Sequence, residues 1–155
     1  MRTPRRHALA YICAAPFLAL ATRGQAQTAE IWSAREAFEV LQEDGLRLLD
    51  IRSREEWAET GLARGAWPVS MHEKRFPSRL FAARDLAGAR PIGLICATGG
   101  RSRAVTDALR QADYDGFVDI SEGMLGSPAG RGWIAAGLPV VPLSVALDAL
   151  PTALA

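Results

Sequence analysis

Residues that hold metals or form disulfides are nearly missing from this chain. Its 155 residues include two cysteines, Cys13 and Cys96, and two histidines, His7 and His72. A multi-histidine site, a thiolate-rich metal centre and a Cys-x-x-Cys redox pair are excluded on that count. Lysine is scarcer still, with Lys74 alone beside 17 arginines. No run of basic residues lies beyond the N-terminus, which excludes nucleic acid as a partner. Internal repeats and low-complexity linkers are also missing, so the chain reads as one domain.

The N-terminus has the three-part pattern of a secretory signal peptide. Arg2, Arg5 and Arg6 form a basic region, Ala8 to Ala21 is an uncharged apolar run of fourteen residues, and Gln25-Ala26 ends in a small residue. A spanning helix needs about twenty apolar residues, so an uncleaved membrane anchor is the lesser alternative. Cleavage is expected near Ala26, which makes the mature protein periplasmic or secreted. Arg5-Arg6 suggests a twin-arginine route, although Pro4 and Ala8 depart from that pattern. Removal of residues 1–26 takes away four arginines and no acid, which leaves 14 basic against 17 acidic residues, a net of −3. It also leaves Cys96 as the only cysteine. A single thiol in an oxidising compartment has no internal disulfide partner and is a hazard unless it has a use.

Along the remaining 129 residues, helical and strand signals alternate. Ser33-Ala34-Arg35-Glu36 and Ser53-Arg54-Glu55-Glu56 are capping boxes, each opening a helix, one ending at Asp44-Gly45 and the other near Gly61. Leu46 to Ile51 reads as a buried strand, and Ala66 to Val69 as a short one that Pro68 places near an edge. Pro77 suits the first turn of a helix through Leu86. Pro91 to Ile95 and Phe117 to Ile120 are two further strands. Such alternation argues for a parallel sheet of about five short strands with helices on both faces. In these sheets ligands bind beyond the carboxyl ends of the strands.

Cys96 lies at one of those ends. It is followed by Ala97, Thr98, Gly99, Gly100, Arg101 and Ser102, with Ser102 expected as the N-cap of a helix carrying Val105, Leu109 and Ala112. A cysteine closing an apolar strand is, by itself, more often a small core residue. The two glycines and the arginine reverse that preference. Amides of a glycine-bearing turn and the positive end of a helix converge there, stabilising a thiolate or a bound anion. Arg101 adds forked donors suited to an oxyanion. Asp50 and Arg52 also end a strand, and two readings stand level: a turn cap beside a solvated arginine, or a frame around the Cys96 pocket that fixes Arg101. Glu55 and Glu56 read as helix N-terminal charges. His72 reads as a surface residue, and Trp32, Trp57, Trp67 and Trp133 as core and pocket wall.

In this order the segments resemble the single-domain rhodanese (sulfurtransferase) family, from about Trp32 to Val141. Leu48-Leu49-Asp50-Ile51-Arg52-Ser53-Arg54-Glu55-Glu56-Trp57 is similar to its first signature and Gly61 to Ala66 to the segment that follows. Cys96 to Ser102 is similar to its active-site loop. Glu122-Gly123-Met124, with Trp133 to Val140, is similar to its closing signature. On this resemblance residues 27–142 form a rhodanese-like domain and 143–155 a C-terminal tail. Departures from the family pattern are Leu62 in place of a common histidine, Ala63-Arg64 in place of Ile-Pro, and the uncharged Ala97-Thr98 where a basic residue often stands. Against the family's usual spacing, about six residues are inserted within Leu125 to Gly132, expected as a rim selecting donor or acceptor.

The resemblance implies a chemistry without metal or organic cofactor. Cys96 would take sulfane sulfur from a small sulfur-containing anion such as thiosulfate, as a persulfide. It would pass that sulfur to a small thiol, cyanide or a protein thiol. Amides of Ala97 to Ser102 would hold the persulfide, and Arg101 would orient the donor. From Cys96 to Arg101 is six residues, the length of sulfurtransferase loops; related phosphatases and arsenate reductases carry one more. A cysteine-based phosphatase and a non-catalytic binding module remain the alternatives. The mature protein is expected as a monomer with no membrane partner.

Overall fold

The computed structural model describes residues 30–155, so the expected leader over 1–26 lies outside the described residues. Strand β1 (Glu30–Trp32) runs into helix α1 (Ala34–Gln42) through the Ser33 capping box. The Ser33 hydroxyl accepts from the Glu36 amide at 3.2 Å, and the Glu36 carboxylate accepts from the Ser33 amide at 2.8 Å. Strand β2 (Arg47–Asp50) leads to α2 (Arg54–Thr60), where Ser53 and Glu56 repeat the same reciprocal cap. There follow β3 (Leu62–Ala63), β4 (Trp67–Pro68), α3 (Phe76–Ala87), β5 (Ile92–Ile95), α4 (Gly100–Gln111) and β6 (Phe117–Ile120). A short α5 (Gly132–Ala135), β7 (Val140–Val141) and α6 (Leu143–Asp148) complete the order.

Five strands form one parallel sheet in the order β1-β6-β5-β2-β4, with β5 at its centre. Every residue of β5 and β6 is buried, as expected for strands covered on both faces. On one face Ala34 and Ala37 of α1 and Trp133 of α5 pack with Leu48, Ile95, Val118 and Ile120. On the other, Leu80 and Ala83 of α3 and Leu109 of α4 pack with Leu49, Ile92, Leu94 and Cys96. Pro68 lies on the edge strand β4, where a missing N–H is tolerated.

Two features escape the sequence reading. Strands β3 and β7 make a separate antiparallel pair, too short to show a period of two. Residues 143–155, set apart as a tail, are folded onto the domain. Ala146 of α6 packs with Trp57 and Leu62, and Leu154, in a last 3₁₀ turn (Thr152–Leu154), is fully buried against the α3 face. Arg79 of α3 donates to the Leu154 carbonyl at 2.7 Å.

Asp50 and Arg52 form a buried pair at the end of β2. Arg52 Nε and Nη2 reach the Asp50 carboxylate at 2.7–3.0 Å, while Nη2 and Nη1 also donate to the Gly61 carbonyl and the Thr60 hydroxyl. This ties the strand end to the α2–β3 junction. Arg52→Met leaves the Asp50 carboxylate buried without its counter-charge, and should lower unfolding stability by about 3–5 kcal/mol. Urea unfolding checks this, and a loss below about 1 kcal/mol, the range of an exposed pair, contradicts it.

Candidate active site

The carboxyl end of the central strand carries Cys96, whose side chain is almost wholly buried. From there the chain makes a tight loop into α4. The N-cap of α4 is Gly99, with φ +79°, and not Ser102 as expected. A Cβ at Gly99 would stand 2.0 Å from the Ser121 carbonyl oxygen, so this position takes glycine and the cap carries no side chain. The helix starts earlier, and Ser102 falls in its first turn. Its hydroxyl lies 3.5 Å from Cys96 Sγ and donates to the Gly99 carbonyl at 3.1 Å.

The segment after β6 holds this loop from behind. The amides of Met124 and Leu125 donate to the carbonyls of Cys96 and Ala97, each at 2.8 Å. Gly123, at φ +67°, allows this approach, since a Cβ there would come within 2.5 Å of the Ala97 carbonyl oxygen. The loop's carbonyls are thus claimed by protein donors. Its amides are not: the N–H groups of residues 97–102 donate to no acceptor among the described residues. Six uncommitted donors in the loop after a thiol, at the N-terminus of a twelve-residue helix, make a cradle whose chemistry would suit an anion.

Arg101 stands at the edge of this cradle. Its Nη1 and Nη2 fork onto the two oxygens of Glu56 at 2.9 and 2.5 Å. That carboxylate also accepts from the Ser53 amide, and is pushed down from 4.5 to about 2, first by the Arg101 hydrogen bonds. Glu56 in turn raises the Arg101 guanidinium above its ordinary value, with a smaller contribution from Cys96. His72 Nε2 lies 3.2 Å from Arg101 Nη1. Arginine only donates, so in a hydrogen bond between the two the imidazole nitrogen is the acceptor.

The structure therefore brings together Cys96, Ser102, Arg101 and the loop amides of Ala97, Thr98, Gly99 and Gly100. Asp50 and Arg52 pair with each other, so the reading in which they fix Arg101 is not what is seen; Glu56 takes that role. Glu56 and His72 were missed as site residues. Glu56 was legible as the last residue of a capping box, but nothing local links it to a residue 45 positions away. His72 is exposed as read, yet reaches Arg101. Trp57 and Trp133 are buried and Trp32 and Trp67 partly so, which makes them core rather than a platform. Among the described residues no cluster of three or more carboxylate, imidazole or thiol groups could hold a metal ion.

A carboxyl depressed in the folded state stabilises the fold fully above its unfolded value near 4.5, and that contribution is lost as pH falls through about 2. Glu56→Gln keeps the cap and removes the charge. It is expected to be less stable than the parent at neutral pH, with the difference shrinking between pH 4.5 and about 2. Unfolding followed at several pH values reads this, and a difference that does not change with pH contradicts it.

Comparison with known proteins agrees with this geometry. A rhodanese-like domain protein from Staphylococcus aureus superposes with a TM-score of 0.53 at 24% identity, over 72% of this chain and 98% of that one. The polysulfide-sulfur transferase homodimer from Wolinella succinogenes gives 0.53 at 21% identity, over 75% and 80%. A Rhodopseudomonas palustris protein of unknown function, described as a possible tyrosine phosphatase, gives 0.51 at 20%, over 73% and 85%. At these identities the likeness is one of fold. No curated protein matches the chain. The family model of the rhodanese-like domain matches residues 33–126, which span β2, the Cys96 loop and β6, and the chain belongs to that family.

Proposed function

We propose that this protein is a sulfurtransferase that carries sulfane sulfur on Cys96. The observation that supports it best is the run of six unclaimed amides around a thiol at the start of α4. In the first half-reaction the Cys96 thiolate attacks the outer sulfur of thiosulfate. The donor's S–S bond breaks, sulfite leaves with the bonding pair, and Cys96 becomes a persulfide anion. In the second, an acceptor such as cyanide or a thiolate attacks the terminal sulfur, and the Cys96 thiolate leaves. Charge stays on sulfur throughout, where the loop amides can hold it without rearrangement. Arg101, already balanced by Glu56, contributes directed donors more than net charge. A neutral or weakly charged donor is therefore accommodated as well as a dianion. The basic and apolar stretches of residues 1–26 support an exported location, where one unpaired thiol with a chemical use fits.

The six-residue span from Cys96 to Arg101 favours this over phosphate-ester hydrolysis, which needs a wider cradle for a tetrahedral group. The test is turnover of thiosulfate and cyanide to thiocyanate, beside an aryl phosphate. Thiocyanate formation that vanishes in Cys96→Ala, with no phosphate release, is expected. Removing the Arg101 donors by Arg101→Ala should lower kcat/KM about 10²-fold. Phosphate release without thiocyanate overturns the reading.

The segment of residues 125–132 is the second part of the proposal. Ser127 and Gly130 pair across it, and Ser127 Oγ donates to the Ser121 carbonyl at 2.9 Å. It starts at Leu125, whose amide holds the Ala97 carbonyl and whose side chain is exposed. This supports a rim beside the Cys96 loop. The two ends of the segment touch: a Cβ on Gly132 would lie 2.2 Å from the Gly126 nitrogen. Excision of residues 126–131 should therefore close without unfolding the domain, and should change the ratio of rates with small and bulky thiol acceptors. An unchanged ratio removes the rim role.

A further inference from the structure

Helices α3 and α4 join β4 to β5 and β5 to β6, so both run back from the carboxyl end of the parallel sheet and lie side by side on one face. They do not close on each other. A groove of about 370 Å³ remains between them, within the range of small-molecule sites. Phe76 and Phe81 line it from α3, and Ala104, Ala108 and Ala112 from α4. Tyr114 lies at the end of the groove away from Cys96, its ring 4.8 Å from that of Phe81. The Tyr114 hydroxyl is the only polar side-chain group among the described residues that line it. Arg103 and Arg110 of α4 pair with Asp107 and do not reach into it.

Both walls of this groove start beside the Cys96 cradle. Phe76 follows His72 by four residues, Ala104 follows Arg101 by three, and His72 Nε2 lies 3.2 Å from Arg101 Nη1. From Ala104 to Ala112 the groove runs about 12 Å along α4, at the helical rise per residue. The cradle at its head supplies little net charge, since Glu56 balances Arg101 and both Ala97 and Thr98 are uncharged. Its donors suit a single negative charge, and apolar contact along the groove is then the main further source of binding free energy. A polar head fixed by a few directed donors, with an apolar body beside it, is the usual division of labour in a ligand pocket.

We infer that the α3–α4 groove holds the hydrocarbon chain of an organic persulfide or thiosulfonate, a monoanion whose outer sulfur lies in the cradle against Cys96. The Cys96 thiolate attacks that outer sulfur and the donor's S–S bond breaks. The organic thiolate or sulfinate leaves with the bonding pair, its chain still in the groove, and Cys96 becomes a persulfide anion. This rests on the sulfurtransferase reading and names its donor class. The groove makes chain length, rather than charge, the property by which donors are chosen.

Calorimetric binding of methane-, butane- and octanesulfonate tests this, since these anions share the head charge but carry no sulfane sulfur. One ligand per chain is expected, with affinity rising about tenfold from butane- to octanesulfonate, less than full burial of the added methylenes would give. Ala108→Phe, which fills the middle of the groove, should remove that rise. Ala112→Phe, at the far end, should weaken octanesulfonate while leaving the butane-to-methane ratio as it was, and it carries the test if Ala108→Phe does not fold. Octylammonium, with the same chain and the opposite charge, should bind at least tenfold more weakly than octanesulfonate. Affinity independent of chain length, or a rise that survives both variants, overturns the inference. So does equal binding of octylammonium, which would mean adsorption to any apolar surface. Self-association of the protein that Ala108→Phe abolishes would give the groove to a second copy and also overturn it. Thiocyanate formed from thiosulfate alongside a flat chain series removes this inference and spares the sulfurtransferase reading. Chain-dependent sulfonate binding with no thiocyanate from thiosulfate or octanethiosulfonate removes that reading and its donor class, and leaves the groove as a binding site for the chain.

Discussion

Two backbone hydrogen bonds, Met124 to the Cys96 carbonyl and Leu125 to the Ala97 carbonyl, determine what the rest of the site can do. A peptide whose carbonyl is fixed has its own plane fixed, and the following N–H must point away from that contact. With the carbonyls of Cys96 and Ala97 tied to the chain after β6, the loop's amides remain for something that is not protein. Both glycines at the seam follow from the closeness of the two segments: side chains at Gly99 or Gly123 would overlap the carbonyls of Ser121 or Ala97. The anion cradle is thus a by-product of packing one loop on another, at the carboxyl end of the buried central strand.

Charge is distributed around this seam in two separate layers. The Asp50–Arg52 pair is fully buried and is a fastener, satisfying the Gly61 carbonyl and the Thr60 hydroxyl as well as each other. The Glu56–Arg101 pair is partly exposed and faces the cradle. A half-exposed ion pair adds little to stability, but it fixes a guanidinium in one orientation, which an unpaired arginine on a flexible stem would not have. Glu56 performs two tasks with one carboxylate, since the oxygen that closes the α2 cap also receives Arg101 Nη1. Position and charge in the site are therefore inherited from an ordinary helix start.

Much of this was legible in the residues because it is local. Capping boxes at Ser33 and Ser53, the apolar runs of β2, β5 and β6, and the glycines after Cys96 each leave a mark within a few positions, and the parallel sheet follows from their alternation. What was not legible depends on contacts across the sequence. Ser102 has the chemistry of a cap, yet the helix starts at Gly99, which tertiary packing sets too close to the Ser121 carbonyl for any side chain. Glu56 and Arg101 meet because β2 and β5 are neighbours in the sheet, a fact of topology. Residues 143–155 were set apart as a tail, yet Leu154 packs on the α3 face.

The central claim is that Cys96 carries sulfur in a cradle of backbone amides. Its most direct test is the intact mass of the reduced protein before and after thiosulfate, with Cys96→Ala alongside. A gain of about one sulfur atom, absent in the variant and removed by cyanide, is what this account predicts. No gain on a thiol shown to be reduced would contradict it, and would leave the loop as a binding surface for an anion that it does not transform.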